Sequence, residues 1–305
     1  MARGTVRRFW SSIMKPAPFS YHAPSTLDEC LDLLSEFGDD AAVLAGGQSL
    51  NSLMRFRLAQ PAHVVSIGKI GEPLSSIRMT DEGVSIGARM TYSAIQRSPD
   101  VKAACPGLPV AIDLIATPPV RTRGTACGNL SHADPASELP AVALLLDARF
   151  RLRSHKGERV LPAEEFFRGP YMTARRPDEL LVEVIFPRRP TGETFVIKEV
   201  TRIRGGFPLA GVAIVFSKAD GTKLNAVRIG CFGVNSRQIR VKDAEAILEA
   251  QGFSDDALAA ACEAIDGAIE PYADPFASVE YRRSATRTLF MRAMSEGWHQ
   301  ESAQK

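Results

Sequence analysis

The chain has 305 residues, a length that predicts about two domains of roughly 150 residues each. Apolar residues make up 45% and charged residues 24%, which excludes a disordered or fibrous protein and leaves ample material for a buried core. With 37 Lys and Arg against 35 Asp and Glu, the formal net charge is +2, which argues against a protein that coats nucleic acid.

The N-terminal segment lacks the apolar stretch of an export signal. Arg7-Arg8-Phe9 superficially resembles a twin-arginine signal, but Lys15 and Pro16 follow too soon. We interpret residues 1–13 as a flexible extension, with Met14 as an alternative start. No run of the sequence approaches the roughly 20 apolar residues of a membrane helix.

The first elements are read from capping signals and apolar spacing. Thr26 and Glu29 form a capping box, and Gly38 follows the last leucine at helical spacing. The predicted elements are helices over 26–37 and 50–58 and strands over 42–45, 64–67 and 83–88.

The middle of the chain is dominated by a polar segment, residues 124–140, which predicts a long ordered loop because apolar runs flank it. Beyond it, Arg149, Arg151 and Arg153 alternate with apolar residues, which predicts a half-buried strand. A further strand over 180–186 is expected to end at Pro187.

Residues 187–192 are rich in Pro, Arg and Gly and form the best linker candidate. After it, the patterns predict strands over 194–200, 210–217 and 226–232 and helices over 242–251, 254–267 and 278–297. Asp243 and Ser254 are the expected caps, and Gly252 and Gly267 the expected stops. Strands followed by helices are typical of an α+β domain separate from the first part.

Two segments are chemically unusual. In the first glycine segment, residues 44–50, paired glycines follow a predicted strand, so that backbone N–H groups can approach an anion while Ser49 adds a hydroxyl. A tight strand-to-helix turn is the alternative interpretation. The Gly-x-Gly-x-x-Gly dinucleotide motif does not occur in the sequence.

The second glycine segment, residues 124–129, opens the polar segment, which offers many donors and acceptors. A metal site formed by His132, Asp134 and Glu138, or a hydrolase built on Ser131 and His132, is weakly supported, because adjacent loop residues seldom converge on one atom.

The five cysteines are widely spaced and form no Cys-x-x-Cys pair, so they cannot assemble a local zinc or iron–sulfur site. Reduced thiols in a cytoplasmic protein are the simplest interpretation. Cys127 has no basic neighbour nearer than Arg123, which favours a packed residue over a nucleophile.

The two glycine segments together resemble the paired FAD motifs of a known family. These are the medium, flavin-carrying subunits of molybdenum hydroxylases, the carbon monoxide dehydrogenase and xanthine dehydrogenase family. The motifs here are Ala45-Gly-Gly-Gln-Ser49 and Thr125-Ala-Cys-Gly-Asn129, and the resemblance extends from Pro18 to about Trp298. Supporting motifs lie at 19–24, 133–140, 205–213, 233–237 and 280–283.

The sequence departs from the family pattern at two places. Thr-Ile-Gly-Gly is usual where this chain has Thr125-Ala-Cys-Gly128, and a cysteine at 127 would be strained if the position requires a positive φ. The approach to phosphate would then rely on Gly128 and Asn129. Relatives often carry Gly-Asp-Phe-Ala where this chain has Gly205-Gly-Phe-Pro208, and we assign no role there.

The resemblance implies two N-terminal α/β subdomains that hold an extended FAD, over 14–190 with a boundary near residue 70. A C-terminal domain of antiparallel sheet and helices over 191–298 and a tail over 299–305 follow. Asp134 and Glu138 would accept from ribityl or ribose hydroxyls, and Lys198 would offset cofactor charge. The implied cofactor-binding residues are Leu44, Ala45, Gly46, Gly47, Gln48, Ser49, Leu50, Gly124, Thr125, Cys127, Gly128, Asn129, Asp134, Glu138, Leu180 and Lys198.

The function that the resemblance implies is electron transfer. Molybdopterin and [2Fe–2S] clusters would lie on a large and a small partner subunit, in a dimer of heterotrimers, with the chemistry carried by cofactors. A self-sufficient FAD-dependent reductase or oxidase is the second hypothesis. A non-catalytic scaffold, in which both glycine segments are only turns, is the third.

Overall fold

The structure is a computed structural model and describes residues 15–300. The predicted extension over 1–13, Met14 and residues 301–305 of the predicted tail lie outside the described residues. Among the described residues, no helix is both long enough and apolar enough to span a bilayer.

The first subdomain is a small parallel sheet with short helices. The order β1-β3-β2 places the third strand in the centre. The first helix begins at a capping box and ends at Gly38, which confirms its prediction. The elements are β1 (Ser20–His22), α1 (Leu27–Phe37), β2 (Ala41–Leu44), α2 (Leu50–Arg55) and β3 (His63–Ser66).

The second subdomain is an antiparallel sheet of order β4-β5-β10-β6-β7 with helices between β5 and β6. The alternation in β6 is confirmed, because Phe150 and Leu152 are buried while the arginines are half-buried. Its strands are β4 (Ile77–Thr80), β5 (Gly83–Gly87), β6 (Arg149–Ser154), β7 (Gly157–Pro162), the paired β8 (Phe167–Gly169) and β9 (Met172–Thr173), and β10 (Leu180–Phe186). Its helices are α3 (Tyr92–Arg97), α4 (Pro99–Ala104), α5 (Gly107–Leu114), α6 (Pro118–Arg121), α7 (Ala126–His132), α8 (Glu138–Leu145) and α9 (Ala163–Phe166).

The composition of the polar segment 124–140 predicted a long loop, and this prediction is wrong. Thr125 caps α7 by accepting from the Gly128 N–H at 3.1 Å, and Ala133 ends that helix in the left-handed conformation. Helix α8 follows after a short turn, and all of its residues are buried. A helix buried on every side shows no 3.6-residue apolar period, so sequence spacing could not reveal it.

The C-terminal domain confirms the predicted order of strands followed by helices. The sheet has the order β11-β12-β13-β14, with antiparallel neighbours. Its elements are β11 (Glu193–Thr201), β12 (Pro208–Lys218), β13 (Leu224–Phe232), β14 (Ile239–Arg240), α10 (Lys242–Gln251), α11 (Asp255–Ala268) and α12 (Val279–His299). The α+β fold class is thereby confirmed.

Two of the four predicted helix boundaries in this domain are correct. Ser254 caps α11, and Gly252 ends α10 with φ +74°. Asp243 is not a cap, because it already lies in the first turn of α10, whose N-cap is Val241. Gly267 does not stop α11, which continues to Ala268 and ends at Ile269.

The described residues bury two apolar cores, and the first also includes Ile197, Ala213, Val215 and Phe232 of the C-terminal sheet. The first contains Leu31, Ile86 and Phe150, and the second contains Phe216 and Phe290. Helix α8 contacts both β12 and β13, so it joins the two domains. The end of β2, the beginning of α8 and the turn after β11 line one cavity, where the candidate site is found.

Candidate functional site

The first glycine segment is the turn that connects β2 to α2. Gly47 has φ +73°, a conformation that favours glycine. A Cβ on Gly46 would lie 2.2 Å from the carbonyl oxygen of Arg123 and 2.9 Å from the Cα of Gly124. Glycine is therefore required at position 46 because the second glycine segment presses directly against it.

The second glycine segment is held in place from the other side. The Gly124 carbonyl accepts from the Tyr92 N–H at 3.0 Å, and a Cβ on Gly124 would lie 2.9 Å from the Tyr92 ring. A Cβ on Gly128 would lie 3.8 Å from the Cβ of Ala45. The two segments, distant in the sequence, therefore meet as neighbouring walls of one site.

A cavity of about 540 Å³ lies where the segments meet. This volume falls within the range of roughly 300–1,000 Å³ typical of small-molecule and cofactor sites. The predicted residues that line it are Ala45, Gly46, Gly47, Gln48, Ser49, Leu50, Gly124, Thr125, Cys127, Gly128, Asn129, Asp134, Glu138 and Leu180. The small residues allow close approach of backbone N–H groups, which is the geometry that a dinucleotide diphosphate requires.

Two predicted site residues lie elsewhere. Lys198 is not among the lining residues, and its ammonium pairs instead with Glu296 of α12. This geometry does not support the expectation that Lys198 offsets cofactor charge. Leu44 also does not line the cavity, because it is the last residue of β2 and precedes the turn.

The expected strain at Cys127 does not occur. The residue lies in α7 and does not have a positive φ. Its side chain is buried, and Sγ lies 3.7 Å from the Ile86 carbonyl oxygen. Burial raises the pKa of the thiol far above its ordinary range, so Cys127 is a packed, unreactive residue.

Two carboxyl groups line the cavity, that of Asp134 in the turn between α7 and α8 and that of Glu138, the first residue of α8. Asp134 accepts from the Ala136 N–H at 2.9 Å, which orders the turn. Glu138 is only 5% exposed, and burial raises its pKa to about 7. Burial and the charge of Glu138 raise the pKa of Glu199, on β11, to about 8. The site therefore contains a carboxyl that titrates near neutral pH.

The metal-site alternative finds no support in the geometry. Within residues 15–300 no three His, Cys, Asp or Glu side chains come together as a metal-binding group. Burial lowers the pKa of His132, whose ring lies 5.1 Å from that of Tyr171. This histidine is therefore a neutral, packed group at the edge of the cavity.

Several lining residues could not be inferred from the sequence. Arg175 precedes β10, and Gly205, Gly206 and Phe207 form the turn between β11 and β12. The motif at 205–208 does not by itself indicate a role. Arg175 carries no signal in the sequence, because adjacent arginines in a charged stretch are typical of an exposed loop.

Comparisons with known proteins agree with this geometry. Residues 17–189 match the family model described as the FAD binding domain in molybdopterin dehydrogenase. Residues 195–297 match the CO dehydrogenase flavoprotein C-terminal domain.

Individual relatives match along nearly their whole length. The chain is 35% identical to the 6-hydroxypseudooxynicotine dehydrogenase complex subunit alpha of Paenarthrobacter nicotinovorans, covering 94% of this chain and 96% of the relative. It is also 35% identical to the carbon monoxide dehydrogenase medium chain of Hydrogenophaga pseudoflava, covering 93% and 99%. A solved structure of carbon monoxide dehydrogenase from Hydrogenophaga pseudoflava, lacking the Mo-pyranopterin moiety, superposes with a TM-score of 0.90 at 36% identity, covering 93% of this chain and 99% of that one.

The cofactor, the fold and the oxidoreductase class expected from the resemblance are thus confirmed. Apart from the turn at 205–207, the residues that line the cavity lie within the matched FAD-binding region. This chain belongs to the family of FAD-binding subunits of molybdopterin dehydrogenases, the carbon monoxide dehydrogenase medium chain and its relatives.

Proposed function

We propose that this chain is the FAD-carrying electron-transfer subunit of a heteromeric molybdenum hydroxylase. It would receive electrons from [2Fe–2S] clusters on a small partner subunit and pass them to an external acceptor. The observation that carries the proposal is the contact of Gly46 with Arg123 and Gly124, which joins the two glycine segments around one cavity.

The residues present fit FAD. Backbone N–H groups of the glycine segments would hold the diphosphate, since Gly46, Gly47 and Gly128 line the cavity without side chains of their own. Asp134 and Glu138 would accept from ribityl or ribose hydroxyls. FAD, when bound, supplies the capacity to exchange electrons one or two at a time.

The assembly that we propose is the one that the family resemblance implies. A molybdopterin-bearing large subunit would hydroxylate the substrate, and the complete enzyme would be a cytoplasmic dimer of heterotrimers. Within this chain, residues 14–190 would be the FAD-binding domain, divided near residue 70, and 191–298 the C-terminal domain. The relatives named as medium chain or subunit alpha support a role within a complex.

Purification of the full chain alone tests the proposal. The expected product carries one FAD, shows a flavin absorption spectrum and contains neither iron nor molybdenum. Electrons from a reduced [2Fe–2S] partner subunit should bleach that spectrum. A folded, colourless chain whose melting temperature does not change on addition of FAD would overturn the proposal, because a ligand of the native state must stabilise it.

The same preparation also tests the second hypothesis, a self-sufficient FAD-dependent reductase or oxidase. Turnover of an organic substrate by the isolated chain would indicate a self-sufficient reductase or oxidase instead. We expect no such turnover.

A further inference from the structure

The charge on the cavity wall is concentrated in one residue. Among the residues that line the cavity, Arg175 is the sole lysine or arginine. Its Nη1 donates to the carbonyl oxygens of Arg176 at 3.0 Å and Glu179 at 2.9 Å. Its Nε and Nη2 have no hydrogen-bond partner among the described residues, so the guanidinium is fixed along one edge and its remaining donors and flat face are available to a ligand.

Burial lowers the pKa of the Arg175 guanidinium, while the charges of Glu179, Asp39 and Asp178 act in the opposite direction. Exposed arginines keep their hydration, whereas this one has given up much of it for two backbone carbonyls. The three nearby carboxylates offset part of the cost of this placement, and a ligand at the remaining donors would offset more of it. The effect of Asp39 also shows that the guanidinium lies near the beginning of β2.

The two ends of the cavity differ in chemistry and exposure. The Arg175 end is formed by half-buried small and apolar residues of β2 and by Leu180 and Leu181, which are only 3% and 2% exposed. The opposite end is formed by the buried Ile115, the half-buried Ala116 and Val120, and the turn at 205–207. Phe207 at that end is 71% exposed.

The glycine contact lies between these ends. Strand β2 runs directly into Gly46, which touches Gly124, and the Gly124 N–H donates to the Val120 carbonyl at 2.7 Å. A dinucleotide whose diphosphate rests on the glycine segments would therefore extend one of its two ring systems toward Arg175 and the other toward Phe207. A ring that exchanges electrons with a partner needs access, so the end beside the exposed Phe207 suits the flavin, and the end beside Leu180 and Leu181 suits the adenine.

We propose that Arg175 is the adenine-binding and cofactor-selecting residue of this chain. Its guanidinium face lies against the adenine ring of FAD, and this contact makes the site prefer FAD to FMN. The inference rests on the proposed function. A planar guanidinium beside apolar walls suits a flat heteroaromatic ring, since arginine stacks on such rings through dispersion and cation–π attraction.

Equilibrium binding to the apoprotein tests the proposal with FAD, FMN and ADP as probes. In Arg175→Met we expect the Kd for FAD to rise roughly tenfold, which corresponds to about 1.4 kcal/mol. The Kd for ADP, which contains adenine but no flavin, should rise by a similar factor. The Kd for FMN, which contains no adenine, should not change.

Arg176→Met is the matched control, because Arg176 is the adjacent arginine, is exposed and does not line the cavity. It should bind all three probes as the natural chain does. Arg175→Lys, which keeps the charge and the stem but loses the plane, serves if the methionine variant fails to fold. It should still reduce the preference for FAD over FMN about threefold.

An unchanged Kd for FAD, or equal losses for FAD and FMN, would overturn the assignment and indicate a structural or phosphate-binding role. Failure of the natural chain to bind FAD at all would instead refute the proposed function. The two failures are therefore distinguishable.

Discussion

Gly46 and Gly124 lie in different subdomains, yet their backbones touch, and no side chain fits between them. A Cβ on Gly46 would stand 2.9 Å from the Gly124 Cα and closer still to the preceding carbonyl. The contact fixes the spacing of the two cavity walls, so both stability and cofactor affinity depend on it.

Gly46→Ala should therefore lower both the stability of the fold and its affinity for FAD. The methyl group meets backbone atoms rather than a flexible side chain, so the walls must separate, at a cost of about 2 kcal/mol in unfolding free energy. The separation also displaces the N–H groups expected to face the diphosphate, and we expect the Kd for FAD to rise at least tenfold. Urea denaturation and FAD titration measure the two effects.

Gly71→Ala is the matched control. Its Cβ would meet nothing within 4 Å, so stability and FAD affinity should not change. An alanine at 46 that binds FAD normally would show that the contact does not shape the site.

Cys127→Gly tests the position where the family usually has glycine. Because Cys127 is helical and buried, the substitution loses apolar contact and adds backbone freedom to α7. We expect a loss of about 2 kcal/mol in unfolding free energy, with FAD affinity retained. Denaturation together with FAD titration checks this. Tighter FAD binding by the glycine variant would instead indicate that the cysteine strains the site.

Glu138 should make the stability of the apoprotein depend on pH. Its pKa in the folded state is raised by burial from 4.5 to about 7, so the folded state binds more protons than the unfolded state between these values. The unfolding free energy should therefore fall as pH rises from about 4.5 to about 7, by on the order of 1–3 kcal/mol. Denaturation of the apoprotein across this range measures the slope.

Glu138→Gln should reduce this slope to the part that Glu199 contributes and make the protein more stable than the natural chain at pH 8. Glu263→Gln, at an exposed position of α11, is the control and should leave the slope unchanged. Parallel pH profiles for the natural chain and the Glu138 variant would contradict the assignment.

The sequence predicted most elements because their patterns are local. The Thr26–Glu29 capping box and the arginine alternation of β6 each report a structure within a few residues. Helix α8 was not predicted, because its burial on all sides removes the 3.6-residue apolar period. The missed cap and stop, Asp243 and Gly267, are residue types that also occur inside helices, so their position alone does not mark an end.

The site residues also fall into those that local sequence motifs reveal and those that only the fold brings together. The glycine segments were recognisable as motifs, and the structure shows that they touch. Arg175 and Phe207 were not recognised, because only the folding of distant loops around the cavity gives them a place there. The pairing of Lys198 with Glu296 is likewise not readable from the sequence, since it depends on the docking of α12 against β11.

Arg282, in the first turn of α12, connects three segments of the C-terminal domain. Its guanidinium is 1% exposed and donates to the Gly233 carbonyl at 2.8 Å, to the Leu209 carbonyl and to Asp274 at 2.6 Å. Leu209 follows the turn at 205–207, so the bond anchors one end of that turn.

Arg282→Met should remove these bonds and leave two buried carbonyls and a carboxylate without their partner. We expect a loss of about 3 kcal/mol in unfolding free energy, measured by urea denaturation. Arg292→Met, at an exposed position of the same helix, should cost almost nothing, because its side chain can remain in water. Equal stability of the two variants would show that the buried guanidinium does not hold these segments together.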